Sequence, residues 1–228
     1  MSGIIFGQRH KGGWQTPVHS YLPKMLHVST LKRRLKTLIT EFERARHIWF
    51  ELNDNGFTLA NSLVKLRLQE RKVEFPTCLI SELDDSLDSM EEHGEENSNE
   101  NTFSLSQSLQ QVLEKMASQY AKMKMQILQI EFLLEEASES LGDEFVYNTP
   151  VYLTCTLETF VHHFVNIFNM FTQEIDLKNK IFSSLQDANR EQAIVLLSTW
   201  LNQPYINDDK IKEFESICEL ELESEEKQ

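Results

Sequence analysis

Cysteine, glycine and proline are all scarce in this 228-residue sequence, with three, seven and five occurrences respectively. Cys78, Cys155 and Cys218 lie far apart, so they signal neither a disulfide framework nor a zinc motif, and a reducing compartment is the natural setting. So few turn formers argue against an all-β fold, whose many tight turns need them. No apolar run reaches the length of a membrane span, and no apolar leader follows the opening Met1-Ser2-Gly3, so no membrane association is expected. A Gly-rich phosphate loop, a nucleophile elbow and a metal-spaced His or Cys cluster are also missing. His162 and His163 are adjacent, about 100° apart around a helix, whereas a shared metal wants a three- or four-residue spacing. We therefore expect no catalytic, cofactor-binding or metal-binding residues, and do not read the chain as an enzyme.

What is present is helical periodicity. From Ser104 to Leu141 an apolar stripe runs through Leu105, Leu109, Val112, Met116, Tyr120, Met123, Ile127, Ile130, Leu134, Ala137 and Leu141, at alternating steps of three and four. That is the period of an α-helix, here roughly 55 Å long and stopped by Gly142. A helix of this length is stable in water only when other helices bury its stripe. A first partner starts after Ser29 or Thr30 as N-cap, with Leu31, Leu35, Leu38, Phe42, Ala45, Trp49 and Leu52 on one face. Gly56 interrupts it, yet Ala60, Leu63 and Leu66 resume nearly in phase. We expect the helix to run through Gly56, whose missing side chain lets a neighbour approach closely. A third helix opens at Thr156 with Thr159 and carries Phe160, Phe164, Ile167, Phe171, Ile175, Phe182 and Leu185. Between these, Phe145 to Thr154 with Pro150 reads as an extended connection. A shorter helix from Arg190 to Leu201 should bury Ala193, Ile194, Leu197, Trp200 and Leu201; another begins at Asp208 as N-cap. The fold expected is all-α: an elongated, coiled-coil-like bundle of three long helices plus short C-terminal helices.

Charge divides the chain further. Residues 1–50 carry a charge of +7 although the whole chain carries −14, so a basic head is joined to an acidic body. Lys32, Arg33, Arg34 and Lys36 suggest either a nucleic-acid contact or a solvated helix start satisfied by the chain's own acidic linker. The second is preferred, because the acidic body repels phosphates and no aromatic ladder accompanies the cluster. The organisation expected is a flexible arm over 1–24, whose Ile4, Ile5, Phe6 and Trp14 offer a docking motif, and a first long helix over 25–71. An acidic disordered linker over 72–103, with Ser89 in an acid-directed kinase context, leads to the central helix over 104–142. C-terminal helices over 143–219 and an acidic tail over 220–228 complete the chain.

Three patches carry a family resemblance. Trp49-Phe50-Glu51-Leu52-Asn53-Asp54-Asn55-Gly56-Phe57-Thr58-Leu59-Ala60-Asn61-Ser62-Leu63 resembles a segment of the cyclin-dependent kinase 2-interacting protein (CINP) family. Met170 to Lys178, and Leu197-Ser198-Thr199-Trp200-Leu201-Asn202-Gln203-Pro204-Tyr205, are similar to later segments of that family in the same order. The arm and the acidic linker do not share the pattern. The resemblance implies a nuclear adaptor, with a cytoplasmic pool as the alternative, that takes part in DNA replication and the cell cycle. Its implied partners are cyclin-dependent and origin-firing kinases, ATR-ATRIP in checkpoint signalling, AAA+ ATPase subunits and a second small helical subunit. With the ATPase it would remodel chromatin-bound or pre-ribosomal substrates in ribosome biogenesis.

Trp49, Asn53, Gly56, Phe57, Asn61, Trp200, Gln203, Pro204 and Tyr205 are the candidate partner-binding residues. Large aromatic anchors stand there among neutral hydrogen-bonding groups, a combination that suits either a partner surface or a lock within the bundle. The alternative function, a coiled-coil structural protein of a tethering or kinetochore-type assembly, predicts a parallel self-association seam.

Overall fold

The structure, a computed structural model, describes residues 26–80 and 92–223. It contains six helices: α1 (Val28–Ile80), α2 (Glu92–Leu141), α3 (Asp143–Asn148), α4 (Leu157–Leu185), α5 (Arg190–Asn202) and α6 (Asp208–Glu223). Among the described residues the only β pairing is an isolated antiparallel bridge between Pro150 and Thr156. The architecture is an all-α bundle of three long helices, as the periodicity predicts. None of the described helices is long and apolar enough to cross a membrane.

Pairings along the helices give their directions. Arg34 of α1 meets Glu136 of α2 at 2.5 Å, while Gly56 of α1 lies beside Val112 of α2, so α1 and α2 are antiparallel. Phe42 packs on Phe164 and Trp49 on Phe171. Both steps advance by seven, so α4 runs parallel to α1. Tyr120 stacks on Phe168 with ring centroids 5.1 Å apart, closing an up-down-up bundle whose core is the shared apolar face. α5 packs back across α1 and α4, and α6 lies along α4.

Several boundaries differ from the sequence reading, each for a local reason. α1 begins at Val28 rather than after Ser29 or Thr30, with the Thr30 and Leu31 amides bonded to the His27 carbonyl. Helix extends to Ile80 and resumes at Glu92, so both flanks of the segment read as a disordered linker are helical. Extending an existing helix adds one hydrogen bond per residue without a new nucleus, and Glu is a good helix former. The middle of that linker, Ser89, the arm over 1–24 and the tail beyond Glu223 lie outside the described residues. Residues 145–148, expected to be extended, lie in α3, with Asp143 and Glu144 in its first turn, where carboxylates favour helix. Gly142 stops α2 at φ 90°, as glycine allows. Thr156 caps α4 by accepting from the Thr159 amide at 3.2 Å, and Asn189 with Gln192 forms a capping box on α5. Asn207, not Asp208, caps α6, its side chain accepting from the Lys210 amide.

Candidate functional site

Five of the nine candidate residues, Trp49, Asn53, Gly56, Trp200 and Gln203, converge on one buried joint. Trp49 and Asn53 are one helical turn apart and both inward, so their turn of α1 faces the C-terminal end of α5. The Trp49 indole N–H donates to Gln203 Oε1 at 3.0 Å and meets Phe171 edge-on. In return the Trp200 indole N–H donates to the Asn53 carbonyl at 3.1 Å. The two fully buried indoles therefore cross-link α1 and α5 reciprocally, each with its N–H satisfied.

Gly56 explains how Trp200 fits. A Cβ placed there would lie 2.5 Å from Trp200 Cζ2 and 3.3 Å from a Val112 methyl carbon. Any side chain would displace the indole, so the glycine permits the close approach expected of it. Asn53 acts differently from the reading that singled out its amide. Its backbone carbonyl makes the cross-link, while its buried Oδ1 has no hydrogen-bond partner among the described residues.

Two charged residues complete the joint. Glu174 and Lys178, spaced i, i+4 on α4, form an ion pair at 3.1 Å with both side chains fully buried. Lys178 Nζ donates to the Trp200 carbonyl and sits over the Trp200 ring, 4.8 Å from its centroid. A cation at the carbonyl end of α5 is favourable for the helix dipole. Burial pushes the Lys178 ammonium down to about 8, with Glu174 opposing the shift. The other Glu174 oxygen accepts from the Tyr205 amide at 3.2 Å, and so fixes the chain where it leaves α5. Gln203 turns that corner in the left-handed region, at φ 43°.

Neither Glu174 nor Lys178 was singled out as a site residue, although both lie in the second patch. The available signal is register: Lys178 occupies the slot between Ile175 and Phe182 where the apolar stripe of α4 calls for a hydrophobe. Phe57 is half-buried against the core and Asn61 is half-buried; neither joins these hydrogen bonds.

The outer side of α5 is the reverse of the joint. Ile194 and Leu201, read as core, are 59% and 48% exposed, and Tyr205 is 46% exposed. Pro204 is exposed as well. Of the expected set, Ala193 and Trp200 are buried, because one inserted indole sets the rotation of a short helix. The joint is a packing device, and the exposed groups beside it are Ile194, Leu201, Pro204 and Tyr205. Among the described residues no group of three or more His, Cys, Asp or Glu is placed to hold a metal.

Two members of the basic cluster, Lys32 and Arg34, make contacts within the fold. Arg34 pairs with Glu136 at the end of α2, Lys32 lies over the Tyr152 ring, and the Tyr152 hydroxyl donates to the Lys32 carbonyl. Among the described residues, the acid that meets Arg34 is Glu136 of α2. In comparisons with known proteins, no family model matches the chain and no curated protein matches it.

Proposed function

We propose that the chain is a non-catalytic adaptor that works by presenting the outer face of α5 to a larger machine. The observation that carries this reading is the contrast across one helix. A dry joint of Trp49, Trp200, Glu174 and Lys178 fixes α5, and Ile194, Leu201 and Tyr205 are held outward on the fixed element. Apolar and aromatic groups on a rigid support suit a docking surface, since little conformational freedom is lost on binding. The CINP resemblance of the same segment supports an AAA+ ATPase subunit as the protein that docks there. A second small helical subunit would complete the assembly, with replication, checkpoint kinases or pre-ribosomal particles as the setting and the nucleus as the main location.

The test is purification of the endogenously tagged protein in mild salt, with mass spectrometry to quantify what accompanies it. Near-stoichiometric ATPase subunits, lost on Tyr205→Ala, are the expected result. Recovery of the chain only with itself, or with a coiled-coil assembly lacking any ATPase, would overturn the reading in favour of a structural protein.

A further inference from the structure

α2 carries a second apolar stripe on the side away from the core. Ala117, Ala121, Met125, Leu128 and Phe132 are all exposed, Met125, Leu128 and Phe132 at 52%, 51% and 59%. Their steps of four, four, three and four place them on one face. Among the described residues nothing covers this face, although α1 reaches its edge, where Arg33 and Thr37 line a groove against Leu128 and Phe132. Small residues fill its N-terminal half and large ones its C-terminal half. Over residues 121–135 charge changes in the same sense, with exposed Lys122 and Lys124 before Leu128 and exposed Glu131 and Glu135 after it, while exposed Glu114 and Lys115 precede the stripe.

We propose that this face pairs antiparallel with the same face of a second copy of the chain. A two-fold axis between Met125 and Leu128 sets Ala121 opposite the partner's Phe132 and Met125 opposite the partner's Leu128, each twice, so the small Ala121 receives the large Phe132. Both pairs have residue numbers summing to 253. Lys124 and the partner's Glu131 fall within about 3 Å of the same level at the helical rise, on one flank, again twice. An in-register parallel pair would instead oppose Phe132 to itself and turn Lys124 to the partner's other flank, away from Glu131, which costs packing and loses the charge pairing. Self-complementarity of this kind is what a two-fold interface requires. The stripe covers only some four turns, so the dimer is concentration-dependent rather than obligate.

Sedimentation equilibrium of the full chain across a wide concentration range tests the proposal, with circular dichroism to confirm that each variant folds. A reversible monomer–dimer equilibrium is expected, weakened about tenfold by Leu128→Glu. Ala121→Phe should also weaken it, because added bulk meets the partner's Phe132, whereas nonspecific apolar association would strengthen. Lys124→Glu should weaken it about fivefold, and Lys124→Glu combined with Glu131→Lys should restore it. A chain that stays monomeric at every concentration, a dimer indifferent to Leu128→Glu, or failure of the double charge exchange to restore affinity overturns the proposal. A monomer that instead binds a different helical protein through this face overturns it as well. None of these outcomes depends on the ATPase docking at α5.

Discussion

α5 and α6 are both short helices laid on the same long bundle, and they are held in opposite ways. α5 is fixed by two indoles and an ion pair from which solvent is excluded. α6 buries Ile211, Phe214 and Cys218, with Phe214 edge-on to Phe164, but its polar attachments are carboxylates. Glu215 pairs with Arg46 at 2.9 Å. The Glu221 carboxylate accepts from the Leu153, Thr154 and Cys155 amides and from the Thr154 hydroxyl, clamping the connection between α3 and α4. The comparison teaches that the tightness of a joint depends on what happens to its charge when a partner is removed, more than on its number of bonds.

The sharpest way to break the comparison is at Lys178. Lys178→Met leaves Glu174 buried beside an apolar group, and loss of one member of a buried pair costs about 3–5 kcal/mol. Urea unfolding followed by circular dichroism should show that loss. Glu174→Gln combined with Lys178→Met should recover most of it; additive losses would mean that the two residues act separately. Gly56→Ala comes next, since its Cβ would meet Trp200 Cζ2 at 2.5 Å. Overpacking costs about 1–3 kcal/mol, offset in part by the roughly 1 kcal/mol that alanine gains over glycine in a helix. Changed tryptophan emission in the folded state and a lower urea midpoint are the expected outcomes, with partial rescue by Trp200→Phe. An unchanged midpoint would show that the indole moves aside freely.

The attachments should respond to opposite ends of the pH scale. Hydrogen bonds to the loop hold the Glu221 carboxyl below the usual carboxylate range, although burial opposes them. A depressed carboxylate contributes stability that is present above its unfolded pKa, about 4.3, and lost as pH falls through the lower folded value. Glu221→Gln should therefore lower the melting temperature by a few degrees at pH 7, and the gap from wild type should close in acid. A gap constant with pH would remove the charge from the explanation. Lys178 is shifted in the same direction but acts at the alkaline end. Its ammonium is pushed down to about 8, so the unfolded chain holds a proton that the folded chain releases. This group makes folding more favourable as pH rises from about 8 towards the unfolded value near 10.4. The Glu174→Gln, Lys178→Met double variant should lack that rise.

Much of this contrast was written in periodicity, and the rest was not. Every long helix follows from apolar spacing, and Gly56 was readable because the stripe of α1 keeps its phase across it. The outward rotation of Ile194 and Leu201 was not readable, because in a helix as short as α5 the inserted Trp200 decides which side is buried. Glu221 looked like one more acid in a Glu-rich tail; only the amides folded back from residues 153–155 give it a role. Glu174 and Lys178 sat within a patch of family resemblance, but that patch does not separate a charge that packs from a charge that binds. Burial distinguishes them, and it depends on α5 closing over α4.

The smallest expected effect on folding is the one that bears most on function. Tyr205 is 46% exposed, and its structural bond is made by its backbone amide to Glu174, which alanine keeps. Tyr205→Ala should therefore leave helicity unchanged and stability within about 0.5 kcal/mol, the usual range for surface substitutions, while complex assembly through α5 is lost. Leu201→Ser on the same face should behave alike, whereas Trp200→Ala should lose assembly and stability together because it collapses the joint. If Tyr205→Ala instead lowered the melting temperature as much as Gly56→Ala does, the phenol would belong to the joint, and the outer face of α5 would no longer be the surface that rigidity serves.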